Sequence, residues 1–144
     1  MHAGAGGLFR NHKSEWIVGF SKSCGLCTSL EAELHAILIG LQIVQQRGFS
    51  KLIIETDCLL AVEAVNNVAQ VFGNCSKLVN SISNLIHDNW EVRCVYQQRE
   101  SNACADWLAK EGAKSDFSEL LILHSPPFKL RGLLSIDCSS SVLA

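Results

Sequence analysis

Leu52-Ile53-Ile54, preceded by Gly48 and followed by Thr56-Asp57, is the stretch on which the fold turns. It is too short for a helix, rich in branched side chains, and apolar at consecutive rather than alternate positions, so it predicts a strand that needs cover on both faces. That is the signature of a central parallel strand. Upstream, Thr28-Ser29-Leu30-Glu31 has capping-box spacing, and Leu30, Leu34, Ile37, Leu38, Leu41 and Val44 recur at helical intervals up to Gly48. Earlier still, Ala5 to Arg10 and Trp16 to Ser21 read as extended runs joined by Asn11-His12-Lys13-Ser14, a hairpin. Downstream the pattern predicts a short helix over 58–66 and a second over 75–87 with Leu78, Val79, Ile82, Leu85 and Ile86 inward. A strand over 92–96 follows, then a helix from Asn102 to Gly112. Hairpin, helix, strand, helices, strand, helix is an α/β order with at least one right-handed crossover.

A chain of 144 residues supports one core. With 48% hydrophobic residues and 12 basic against 14 acidic side chains, disorder is excluded. The net charge of −2 excludes the basic footprint that by itself marks a nucleic-acid binder. The expected organisation is one domain over 1–114 and a C-terminal tail over 115–144, where Leu120 to Leu123, Pro126-Pro127, Leu133-Leu134 and a serine-rich end change the texture. Seven cysteines, odd in number and set in apolar surroundings, read as reduced thiols. No basic stretch followed by an apolar run opens the chain, and no window reaches the ~18 apolar residues of a membrane span. The expectation is an intracellular protein in a reducing compartment, with no membrane partner.

Three carboxylates stand where chemistry is built. Glu33 lies early in the long helix at the margin of its apolar stripe, beside Ile37 and Gly40; Asp57 follows the buried strand at its carboxyl end; Asp106 falls one turn into the last helix. Each has a bland reading, respectively a first-turn complement to the helix dipole, an N-cap, and a solvated helix residue. As a set they point to one place, and converging carboxylates repel unless a cation neutralises them; all-oxygen ligand sets select hard ions. Other motifs are weaker. Gly4-Ala5-Gly6-Gly7 lacks the third glycine of a dinucleotide fingerprint, Phe9 standing there, so no dinucleotide cofactor is expected. Cys24-Gly25-Leu26-Cys27 has CxxC spacing without a second ligand pair, which speaks against structural zinc, and a CxxC redox site would need the pair to open a helix after a central strand, whereas it precedes a hairpin-to-helix turn.

Thr28 to Leu34, then Ile54-Glu55-Thr56-Asp57, then Arg99 to Lys110 fall in order and at fitting spacings. Together they resemble the downstream blocks of type 1 ribonuclease H, and more closely the plant ribonuclease H-like, reverse-transcriptase-associated and retrotransposon-related domains. Ala3 to Leu8 resembles the second strand of those domains. The resemblance implies a mixed sheet with helices on both faces. It implies a metal-dependent endonuclease that hydrolyses the RNA strand of RNA/DNA hybrids, with such a hybrid or another nucleic acid as partner. By position Glu33, Asp57 and Asp106 match three of four catalytic, metal-binding carboxylates for two Mg2+ or Mn2+ ions. Thr28, Ser29 and Asn102 match substrate-contacting positions, where the 2′-hydroxyl distinguishes RNA from DNA.

The departures set a second expectation. The family's first strand, central in the sheet and carrying the first catalytic aspartate in an Asp-Gly pair, has no counterpart before Ala3, and Tyr96 stands where the family has a loop histidine. A phenol is a poor proton carrier near neutral pH. Two readings follow: an N-terminally truncated ribonuclease H sequence whose intact form is a two-metal hydrolase, and a non-catalytic ribonuclease H-like remnant with at most weak nucleic-acid binding.

Overall fold

The computed structural model describes residues 2–66, 75–86, 91–98, 102–114, 119–134 and 142–143. Strands β1 (His2–Arg10) and β2 (Trp16–Leu26) form the expected hairpin, longer than the hydropathy pattern suggested because β2 continues past Ser21. Asn11 sets the turn: its side-chain carbonyl accepts from the backbone N–H of Lys13 at 2.9 Å and of Glu15 at 3.0 Å.

Helix α1 (Ser29–Gln46) starts where the capping box predicts, with Thr28 Oγ1 accepting the Glu31 N–H at 3.1 Å. It is buried over more than one stripe, Ala36, Ile39 and Ile43 joining Leu34, Ile37, Leu41 and Val44, because the sheet covers one side and α3 (Ser76–Ile86) another. Strand β3 (Lys51–Thr56) pairs in parallel with β4 (Glu91–Tyr96), from Lys51↔Glu91 to Thr56↔Tyr96. Helix α2 (Leu59–Asn66) follows β3 and closes this layer with α1 and α3 around Leu34, Ile37, Leu41, Ile54 and Ile82.

The opposite face of the hairpin is covered by α4 (Ala103–Lys114), which lies close on β1 and β2. A Cβ on Gly4 would stand 2.0 Å from the Ala109 carbonyl oxygen, and one on Gly6 would stand 2.3 Å from the Ala109 nitrogen. The expected helix stop at Gly112 is instead inside α4, where a Cβ would meet the Lys22 carbonyl oxygen at 2.5 Å. Its role is close approach of helix to strand, not termination.

After Lys114 the chain returns to the domain. β5 (Leu121–Leu123) pairs antiparallel with β2, and the Trp16 indole N–H donates to the Leu123 carbonyl at 3.2 Å. A 3-10 turn at Phe128–Leu130 buries Leu130 against Leu8, Cys104 and Leu108 before α5 (Arg131–Leu134). β6 (Val142–Leu143) pairs with Gly7 and Leu8 of β1. The sheet order is β5-β2-β1-β6, with β3-β4 as a separate pair against which β6 rests. A cavity of about 320 Å3 between the halves is lined by Phe9 and Arg10 at the end of β1, by Val44, and by Lys51 and Leu52 at the start of β3. Among the described residues no helix is long and apolar enough to cross a membrane.

Candidate active site

The carboxyl ends of β3 and β4 lie side by side, tied by Thr56↔Tyr96 pairing and by the Gln97 N–H donating to the Thr56 carbonyl at 2.8 Å. Polar groups gather here because strand-end backbone is freed from the ladder and the loops that follow face solvent. Asp57 is the residue after β3 and Tyr96 is the last of β4, half exposed. Glu33, one turn into α1, reaches the same point: the Thr56 hydroxyl donates to Glu33 Oε2 at 3.3 Å, and the Cys58 N–H donates to Thr56 Oγ1 at 3.1 Å. Burial pushes the Cys58 thiol up, and the nearby charges of Glu33 and Asp57 push it the same way. Two carboxylates 24 positions apart in sequence therefore share one junction, with Thr56 as its hub.

Asp106 stands in the first turns of α4, on the element packed against β1 and β2, and pairs with Lys110 at 2.9 Å. Among the described residues no three His, Cys, Asp or Glu side chains converge closely enough to hold a metal ion. A hard ion held by one or two carboxylates and a substrate phosphate is compatible with Glu33 and Asp57. The two-ion arrangement needs more acidic ligands than the described residues assemble at this junction.

Of the remaining candidates, Thr28 spends its hydroxyl on the α1 cap and is exposed, and Ser29 beside it is exposed as well. Asn102 is 1% exposed, and both polar atoms of its amide lack a hydrogen-bond partner among the described residues. An unsatisfied buried amide costs about 1–3 kcal/mol.

The family is decided by comparison with known proteins. Residues 1–112 match the model of the family described as reverse transcriptase-like. A protein of Arabidopsis thaliana named among the ribonuclease H proteins is 31% identical over 123 residues, which is 85% of this chain and 19% of that protein's length. The chain belongs to the reverse transcriptase-like family.

Solved structures show which fold this family member shares. RNase H1 of the archaeon Halobacterium salinarum superposes with a TM-score of 0.72 at 18% identity, covering 77% of this chain and 85% of that one. The N-terminal RNase H domain of a Mycobacterium tuberculosis protein gives 0.61 at 18% identity over 78% and 91%. The prototype foamy virus protease-reverse transcriptase gives 0.56 at 14% over 81% and 21%. The fold of this reverse transcriptase-like chain is that of ribonuclease H. Sequence reading named Glu33 and Asp57 but passed over Thr56, whose hydroxyl donates to Glu33, and Glu55, a carboxylate only 6% exposed. Thr56 had no local signal, since a threonine ending a strand is ordinary; an acidic residue inside an apolar run was the available clue to Glu55.

Proposed function

We propose that this chain is a ribonuclease H-type nucleic-acid-binding domain. It engages an RNA/DNA hybrid at the carboxyl ends of β3 and β4, with Glu33, Asp57 and Asp106 as the carboxylates for endonucleolytic hydrolysis of the RNA strand. The observation that carries the reading is the Glu33–Thr56–Asp57 junction, at the strand ends where open α/β sheets build their sites. Bound Mg2+ or Mn2+ would supply charge neutralisation and an activated water there. The chain's own residues prepare the place: the Cys58 N–H orients the Thr56 hydroxyl, which holds Glu33 toward the strand end. Asn102 is a positioning group at the start of α4, and Thr28 and Ser29 are the surface residues on the α1 side.

A non-catalytic, nucleic-acid-binding reading is favoured by one observation, the absence of a three-member ligand group among the described residues. One experiment separates the two. The chain is titrated with a fluorescent RNA/DNA hybrid and with the matching DNA duplex, and RNA cleavage is then followed with Mg2+ or Mn2+. Hybrid-selective binding with cleavage that Asp57→Asn reduces at least ~100-fold supports the enzyme. Hybrid binding without cleavage supports the second reading. Equal, weak affinity for both duplexes removes both.

A further inference from the structure

The corner joining β2 to α1 reads Ser23-Cys24-Gly25-Leu26-Cys27-Thr28, and the site described above does not use it. In the β1–β2 ladder Ala3 faces Gly25 and Gly4 faces Ser23, so Cys24 is the extra residue of a bulge. Gly25 takes φ +66°, a left-handed conformation that suits glycine, with open space where a side chain would stand. Bulge and left-handed residue together fold the chain back on itself. The Cys27 thiol thereby comes beside that of Cys24, near enough for each to act on the other. Leu26 between them is 75% exposed and both cysteines are partly exposed, so a small reagent reaches the pair.

We propose that Cys24 and Cys27 form a reversible intramolecular disulfide that clamps the β2 bulge to the N-cap of α1. The oxidant is a low-molecular-weight disulfide such as oxidised glutathione. One cysteine thiolate attacks a sulfur of that disulfide and releases the first small thiol; the second cysteine then displaces the remaining half from the mixed disulfide. Both protein S–H bonds are lost and one S–S bond forms, while the oxidant's S–S bond breaks and takes up the two electrons and two protons as two thiols. Cys27 is the attacking group, because burial pushes both thiols up while the contact between them raises Cys24 further and lowers Cys27.

Burial holds Cys24 at about 11, with the positive Lys22 pulling it down, and burial also raises Cys27, with the negative Glu31 acting in the same direction. Thiolate is scarce near neutrality, so the exchange is slow there and quickens toward alkaline pH. Once closed, the bond lies next to Thr28, whose hydroxyl caps the Glu31 N–H, and the redox state of the corner sets how firmly α1 begins. This inference stands apart from the nucleic-acid reading.

The test uses the whole reduced chain, exposed to oxidised glutathione at pH 7.5 and 9, alkylated, digested with trypsin and weighed. Cys24 and Cys27 fall together in the tryptic peptide from Ser23 to Arg47, which contains no other cysteine. The expected result is loss of two hydrogens from that peptide, faster at the higher pH and reversed by dithiothreitol, with Tm raised by a few degrees. Cys24→Ser and Cys27→Ser should each show no such loss and no rise in Tm on oxidation, the Cys24→Ser chain keeping a glutathione adduct at Cys27. A persistent adduct on the wild-type peptide, pairing of either cysteine elsewhere, a linked dimer, or no change in the peptide at either pH would each overturn the proposal.

Discussion

The two halves of the molecule are held together by opposite means. In one, α4 lies on β1 and β2 through glycine: at Gly4, Gly6 and Gly112 the neighbouring backbone comes within 2.0 to 2.5 Å of where a Cβ would be. In the other, α1 and α3 meet β3 through branched and long aliphatic side chains, Leu34, Ile37, Leu41, Ile54 and Ile82, all nearly or fully buried. The first contact is backbone on backbone and has no room to give, whereas the second interdigitates and re-packs when volume is kept. The Glu33–Asp57 junction belongs to the second half, so the acidic pair rests on the more adaptable contact while Asp106 rests on the rigid one.

The largest expected effect breaks the glycine half. Gly6→Val places side-chain atoms where the Ala109 nitrogen and Leu108 carbon already stand, at 2.3 and 2.5 Å. The variant should lose its cooperative urea transition altogether, whereas Leu34→Met in the other half should cost under about 1.5 kcal/mol. If Gly6→Val unfolds with the wild-type midpoint, the close approach of α4 is wrong. Next comes truncation: Leu34→Ala opens a cavity beneath α1 and should cost roughly 2–5 kcal/mol in the same assay.

A chemical probe separates the halves by pH. Burial pushes the Cys94 thiol on β4 up to about 12 from the ordinary 9.0, with the nearby Cys58 acting in the same direction. The unfolded chain releases this proton first. Stability from Cys94 is therefore complete below pH 9 and is lost as pH rises toward 12, at about 1.4 kcal/mol per unit. Urea midpoints at pH 8, 9.5 and 10.5 should fall less in Cys94→Ala than in wild type; equal slopes would remove the assignment. The smallest effect sharpens the site: Thr56→Val removes the donor to Glu33 and should cost about 1 kcal/mol of stability. Under the proposed activity it should also lower hybrid cleavage about tenfold without abolishing it, a loss distinct from that of Asp57→Asn.

Much of this was legible in local sequence. The capping box at Thr28, the helical spacing from Leu30 to Val44 and the apolar run at Leu52 placed α1 and β3 within a residue or two, because their signals repeat over several turns or fill a whole strand. Glu33 and Asp57 were named from the same places; in the structure Glu33 accepts from Thr56, and both charges act on Cys58.

What the sequence determined by itself, then, was the order and type of the long elements and the two acids at their ends, since helical and strand periodicity are properties of neighbouring residues. The tertiary structure alone decided the rest. Gly112 reads as a helix stop until β2 is seen to need its missing side chain. The two- and three-residue strands β6 and β5 carry no period of their own and exist only because β1 and β2 offer them an edge. Asn102 opens the last helix in sequence, yet only packing buries it, and Cys24 is turned toward Cys27 by the bulge that the register with β1 places at Cys24. Each depends on chain segments distant in sequence, and pairing at a distance leaves no pattern in either segment alone.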